Sequence, residues 1–358
     1  MKKLKYFLVF TGPLCGIFSL WWTGFWPWLL PIYAYVIIPI LEFILPADTY
    51  NMSSSEEEQA KKDKFYDYLL YSLVPIQYGL VILFLLGITT QDLVWHELVG
   101  RVITLGIACV VLGINVAHEL GHRAKKSERI MSKILLLSAQ YMHFFIEHNK
   151  GHHKNVGTPS DPATARKGED LYRFWARSIT FSYLSAWRIE IKRLRSKQFR
   201  IISMHNQMIQ FAFMQLAVMG CVWFVFDGGA LLYYMLGCIV GILFFETVNY
   251  LEHYGLTRKL KENGSYERVE SMHSWNSDHA IGRSLLFEVT RHADHHFMAS
   301  RKYQILKSYG DAPQLPAGYP VMILCALVPP VWFSVMHRHM DKIKDQRRQS
   351  GQPISSIA

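Results

Sequence analysis

Long apolar runs punctuated by short polar links dominate this chain. Tyr6–Trp22, Tyr68–Ile88 and Met208–Phe226 carry no Asp, Glu, Lys or Arg. Phe25–Leu45 carries only Glu42, Leu98–Ala117 only Arg101, and Ala230–Tyr250 only Glu246. A helix needs about 20 apolar residues to cross about 30 Å of hydrocarbon, and these six runs meet or approach that length. The pattern predicts an all-α integral membrane protein with six transmembrane helices, at 6–22, 25–45, 68–88, 98–117, 208–226 and 230–250. A helix continuing from Leu98 to His122 would be about 37 Å long at about 1.5 Å per residue, carrying its last residues just past the bilayer.

Lys and Arg set the topology. Lys2, Lys3 and Lys5 at the N-terminus, Lys61, Lys62 and Lys64 before the third run, and Arg123, Lys125, Lys126 and Arg129 after the fourth make one side basic. The links on the other side, Thr23–Gly24, Thr89–Glu97 and Asp227–Gly229, contain neither residue. Both termini and the segments 118–205 and 251–316 are therefore expected in the cytoplasm. The net charge of +10 is mostly this bias and does not indicate nucleic-acid binding. Met1–Trp22 has the basic start and apolar run of a signal peptide, but no small-residue cleavage site follows, so it is read as a retained span. Ala317–Met336 is nearly long enough to cross. Crossing would export the basic tail 337–358, and Pro329–Pro330 would break the helix, so 317–336 is read as re-entrant or interfacial. The whole of 1–358 reads as one membrane-embedded catalytic domain. Ser53–Lys64 and the last dozen or so residues are expected to be disordered.

The five cysteines all fall in apolar runs without a C-x-x-C pair, which reads as buried packing. Chemistry concentrates instead in histidine. His118 and His122; His148, His152 and His153; and His292, His295 and His296 form three boxes at turn spacing. Residues three or four apart share a helix face, so His118/His122 and His148/His152 are expected to act as pairs, with His153 rotated toward a second metal. One histidine on an apolar face is usually a satisfied core residue; eight in three boxes indicate a metal centre.

His118-Glu119-Leu120-Gly121-His122 is also H-E-x-x-H, the zinc-protease motif with Glu as general base. That reading leaves six boxed histidines unemployed, and one zinc takes only four ligands. His253, just past the sixth run, is a candidate ninth ligand. Nine imidazoles over two metals, with positions left open, suit iron that must bind oxygen. A ferritin-like carboxylate site would need two Glu-x-x-His motifs. Only Glu119 has that spacing to a boxed histidine. Glu119, Glu252 and Asp294 then read either as partners of ring N–H groups or as solvated charges. Glu246, about two turns inside the sixth run from His253, should face the bundle interior. It would serve there as a hydrogen-bond partner of a neighbouring helix, or in proton delivery or ligand orientation.

The boxes His118-Glu119-Leu120-Gly121-His122-Arg123, Glu147-His148-Asn149-Lys150-Gly151-His152-His153 and Arg291-His292-Ala293-Asp294-His295-His296 resemble those of the integral-membrane alkane 1-monooxygenases. So do Asn249-Tyr250-Leu251-Glu252-His253-Tyr254-Gly255, Leu315-Pro316-Ala317-Gly318-Tyr319-Pro320 and Pro329-Pro330-Val331-Trp332-Phe333. The likeness runs from the first span to about Met340. The three boxes are shared with membrane fatty-acid desaturases and related hydroxylases, whose chemistry is the nearest alternative. The resemblance implies terminal hydroxylation of medium-chain n-alkanes with O2 at two non-haem iron ions held by the nine histidines. It also implies a bacterial inner-membrane location and electrons from rubredoxin, served by a flavin-dependent reductase. The chain itself shows no G-x-G-x-x-G fingerprint and no Cys₄ site, consistent with a separate donor. The substrate would come from the lipid, and on a helix Ile114 and Val111, at i−4 and i−7 from His118, would line its path.

Overall fold

The computed structural model describes residues 2–349, 356 and 357. Six of its helices are long and apolar enough to cross a membrane: α1 (Lys3–Trp21), α2 (Trp26–Ile44), α4 (Phe65–Thr90), α5 (Trp95–Gly121), α8 (Gln207–Val225) and α9 (Gly228–His253). Each holds one of the six apolar runs to within a residue at either end. Between them lie α3 (Ser54–Lys62), α6 (Lys126–Ser138) and the 26-residue α7 (Leu171–Ser196). After α9 come α10 (Ala280–Leu285), α11 (His292–Phe297), α12 (Tyr319–Ala326) and α13 (Pro329–Gln349). Among the described residues extended pairing is limited to isolated bridges, so the fold is all-helical.

The chain forms two compact units. One comprises Met1–Ile37, Asp63–Gly151 and Ser182–Phe245, the other Ile38–Lys62, His152–Phe181 and Glu246–Ala358. In the first, α5 is the most enclosed span: 72% of its apolar window is buried, against 17% for α8. Phe213, Leu216 and Phe224 stand outward on α8, as a lipid-facing helix requires. Against α5 packs α9, which carries Gly237 and Gly241 four residues apart. A Cβ on Gly241 would lie 2.7 Å from Cys109 Cβ and 3.0 Å from the Gly106 carbonyl, and one on Gly237 would lie 2.5 Å from Leu105. Small residues at this spacing let two backbones approach closely in the bilayer, where helices associate by packing rather than by hydrophobic transfer.

Three expectations are corrected. α5 is not uniformly α-helical: Cys109–Asn115 is π-wound before Val116–Gly121 resumes the α form, with His122 as its C-cap. Ser53–Lys64 is not disordered. Ser53 and Glu56 form a capping box in which Glu56 Oε2 accepts from the Ser53 N–H at 2.9 Å, and Lys307 pairs with Glu57 at 2.6 Å. That S-x-x-E signal was legible in Ser53-Ser54-Ser55-Glu56, though its acidic run masked it. Finally, the element at 317–336 does not end at 336: Pro329–Pro330 interrupt the helix after Ala326 as expected, but Pro329 opens α13 at a position where proline costs no hydrogen bond, and α13 runs on to Gln349. The disorder expected of the last dozen or so residues falls partly on 350–355 and 358, outside the described residues.

The α5–α9 contact generates a stability prediction. Gly241→Ala should destabilise the detergent-solubilised protein by about 1–3 kcal/mol through overpacking. Gly79→Ala, where a Cβ meets open space, should be neutral or stabilise by up to ~1 kcal/mol. Equal denaturation midpoints for both variants and wild type would remove the close-packing argument.

Candidate metal centre

In the second unit, four imidazoles from three segments converge. His152 follows a short π-wound stretch, His148–His152; His253 ends α9; His292 and His296 lie one turn apart on α11. All four are buried, and one ring nitrogen from each lies within 4.8 Å of the other three. Nε2 of His292 is 2.9 Å from Nε2 of His296 and 3.2 Å from that of His253, and Nε2 of His152 is 3.2 Å from that of His296. For metal–imidazole bonds of about 2.1 Å, adjacent ligand atoms lie about 3.0 Å apart in an octahedral shell and about 3.4 Å in a tetrahedral one. The observed separations fall in that range. Four buried rings each bring one ligand-capable nitrogen to the same point, a donor set suited to a cation. The residues present therefore fit a metal ion.

The same unit pairs His153 with His295, Nε2 to Nε2, at 3.1 Å. In the first unit His118 and His122, at the end of α5, meet His148, with ring centroids 4.5–5.3 Å apart. His148 and His152 thus do not act as the i, i+4 pair that α-helical spacing predicts. The stretch joining them is π-wound, a local departure from the α-helical winding that spacing predicts.

The carboxylates divide by role. Asp161, which sequence reasoning missed, accepts from His152 Nδ1 at 2.9 Å and from the Thr164 hydroxyl at 2.5 Å. Burial opposes ionisation of Asp161, but His152 and Thr164 outweigh it and hold the carboxyl below its usual value. With its Nδ1 proton donated to Asp161, His152 presents a lone pair at Nε2, the arrangement that fixes a ligand's tautomer. Only its place nine residues after a boxed histidine hinted at this. Burial, and then the neighbouring imidazoles, push the His296 pKa well below the usual range, which keeps the ring in the neutral form a metal needs.

Glu252 lies 3.2 Å from His292 Nε2 and accepts from the Tyr319 hydroxyl at 2.9 Å, so it does reach a box ring. Asp294 does not. It is bound by Arg301, by the Tyr309 hydroxyl at 2.9 Å and by the Lys307 N–H at 2.8 Å, which hold the loop after α11. Glu119 pairs with Arg123 at 2.6 Å, and Arg123 with Asp67 at 3.1 Å, clamping the end of α5 to α4. Glu246 accepts from the Ser178 hydroxyl at 2.5 Å, the interior hydrogen bond foreseen for it. Arg291, just before α11, donates to the backbone carbonyls of Asp48, Tyr50 and Leu306 and so fixes where the third box begins.

Beside the first-unit rings lies an apolar wall. Phe144 stacks on His148 at 4.6 Å, and Phe245 meets Phe144 edge-on at 4.8 Å. Ile114 is fully buried, whereas Val111 is partly exposed. Both sit in the π-wound stretch of α5, whose wider turn takes Val111, seven residues from His118, out of its α-helical alignment and leaves Ile114, four residues away, close to it. His143, outside the boxes, is enclosed between the rings of Tyr141 and Tyr183.

Six membrane-length helices and clustered histidines define a membrane metal enzyme, and the fatty acid desaturase family model matches residues 92–326. Alkane 1-monooxygenases are similar over most of their length. One from Acinetobacter baylyi is 36% identical over 312 residues, 87% of this chain and 76% of the relative. One from Pseudomonas putida is 35% identical over 94% of this chain and 85% of its own length. Alkane 1-monooxygenase 1 of Alcanivorax borkumensis is 36% identical over 90% and 80%. The chain belongs to the alkane 1-monooxygenase family.

Asp161→Asn should weaken metal binding about 10- to 100-fold while leaving membrane insertion intact, as loss of a ligand's carboxylate partner does elsewhere. His253→Ala should remove metal outright, and His143→Ala should retain it. Metal analysis of the purified variants checks all three, and full metal in the His253 variant would strike it from the ligand set.

Proposed function

We propose that the protein hydroxylates the terminal carbon of medium-chain n-alkanes to 1-alkanols, using O2 and two electrons at two non-haem iron ions. The observation that carries this reading is the convergent set His152, His253, His292 and His296 in a chain whose relatives are alkane 1-monooxygenases. By ligand count those four suffice for one iron. Iron supplies O2 activation, for which open coordination positions on imidazole-rich sites are suited. The chain's own residues bind and orient. Asp161 fixes the His152 tautomer. Glu252, held by the Tyr319 hydroxyl, stands beside the metal-facing nitrogen of His292. Phe144 and Phe245 keep water from the approach to His148 and offer an alkane an apolar surface. Glu119 is ion-paired with Arg123 rather than free to act as a protease base, and the family relationship displaces that alternative.

The enzyme is read as a multi-pass protein of the bacterial inner membrane with both termini cytoplasmic, fed with alkane from the lipid. Rubredoxin and its reductase are the proposed electron source. Arg123 is buried in its ion pairs, so any attraction of an acidic carrier falls to exposed cations such as Lys125 and Lys126. The fatty acid desaturase family match favours one second reading, removal of two hydrogens from an acyl chain at the same histidines.

Purified protein reconstituted with rubredoxin and reductase should contain iron and convert octane to 1-octanol. An unsaturated acyl product with no alcohol would select the desaturase reading. We retain Ile114 as a lining residue; Ile114→Ala should admit longer or bulkier alkanes. At ~0.8 kcal/mol per buried methylene, room for two more should shift chain-length preference on the order of tenfold. An unchanged product profile from hexane to hexadecane, with iron intact, would place the path elsewhere.

A further inference from the structure

Two tyrosines in the His253 motif and the tryptophan of the Pro329-Pro330-Val331-Trp332-Phe333 motif have no task in the reaction so far. They meet in one place. Tyr250, Tyr254 and Trp332 are each fully buried, with ring centroids 5.0 Å apart for Tyr250–Trp332 and 5.2 Å for the other two pairs. Tyr254 is the peptide neighbour of His253. At the other end its hydroxyl lies 2.9 Å from Nε2 of His337, a half-buried residue on α13. The Gly168 N–H donates to the same hydroxyl oxygen at 2.9 Å, which leaves the phenolic proton directed at His337. Burial, and then Lys167, hold the His337 pKa below its usual value, so the ring is neutral and able to take that proton.

We propose that Tyr254 and Trp332 form a relay that draws oxidising equivalents away from the metal centre at His253, with His337 taking the Tyr254 proton. It protects the ligands when the enzyme is oxidised without substrate. The Tyr250 hydroxyl donates to the Glu169 carbonyl at 2.7 Å, a structural bond, so the redox argument rests on Tyr254 and Trp332. Phe174, at 5.3 Å from Tyr250, fills the same core without a hydroxyl, and a phenol and an indole are the side chains most readily oxidised by one electron. In the step, Tyr254 loses one electron and one proton. The electron reduces the oxidised metal centre by one equivalent, and the proton passes to His337 Nε2. A soluble thiolate then returns one electron, the proton moves back from His337, and two thiyl radicals combine as a disulfide. Trp332 shares the vacancy while it lasts: when the indole gives an electron to Tyr254, the phenolic proton returns from His337.

The inference rests on the iron reading above, and one experiment separates the two. Full-length iron-loaded enzyme is run with its electron-donor system and O2 but no alkane. It is then assayed for octane hydroxylation, for a radical signal by freeze-quench electron paramagnetic resonance, and for oxidised residues by peptide mass spectrometry. Wild type should show a tyrosyl or tryptophanyl radical and keep most of its activity. Tyr254→Phe and Trp332→Phe preserve the ring packing. They should begin with wild-type iron content and octane rate, lose the radical signal, inactivate several times faster, and accumulate oxidation on the boxed histidines. His337→Gln keeps a hydrogen-bond acceptor but cannot take the proton, and should behave as Tyr254→Phe does. Variants matching wild type in lifetime and radical yield overturn the relay alone, as does loss of iron in Tyr254→Phe. A wild type that neither binds iron nor forms octanol overturns the relay and the proposed function together.

Discussion

Four imidazoles whose nitrogens crowd to 2.9–3.2 Å in a buried site suit a cation, and this constraint organises everything near them. Neutral rings must be kept neutral, which burial does. Their lone pairs must point inward, which requires a partner on the far nitrogen of at least some rings. Asp161 meets that need for His152 from a loop, where its carboxylate can be aimed without bending a helix. The ligands come from segments distant in sequence, so the scaffold has to bring a helix end, a short π-wound turn and a six-residue helix to one point.

Buried ionic groups do much of that positioning. Arg291 ties the start of the third box to the backbone at 48–50 and 306, and Asp294 inside the box ties Arg301, Tyr309 and the Lys307 amide behind it. Arg123 performs the same service between α5 and α4 through Glu119 and Asp67. Each charge faces an opposite charge, which makes such pairs tolerable away from water, and removing one partner leaves the other costly. The carboxylate in a histidine box is thus not automatically a partner of a histidine. Glu252 touches a ring, whereas Asp294 serves the backbone and an arginine.

The membrane part follows a different logic. Lipid offers no hydrophobic advantage to helix contact, so α5 and α9 rely on Gly106, Gly237 and Gly241 for close approach. The π-wound stretch of α5 lies in the same region, and it alters which residues of that helix face His118. The lining of a substrate path on α5 is accordingly a matter of local winding, which composition does not record.

The sequence by itself determined the spans, because about 20 consecutive apolar residues admit few other fates, and the histidine boxes, because eight imidazoles at turn spacing have few uses besides metal. Arg291 and the flanking motifs were visible as resemblance before their contacts were known. Only the tertiary structure decided how the histidines group. His152 joins His253, His292 and His296 rather than His148, and the five residues that link the two are π-wound, a winding that does not announce itself in residue types. It alone brought Asp161 to His152, since a carboxylate in a loop has no periodicity to mark its direction. The same holds for Tyr250, Tyr254 and Trp332, some 80 residues apart at the extremes: adjacency across such a separation is a property of packing, not of spacing.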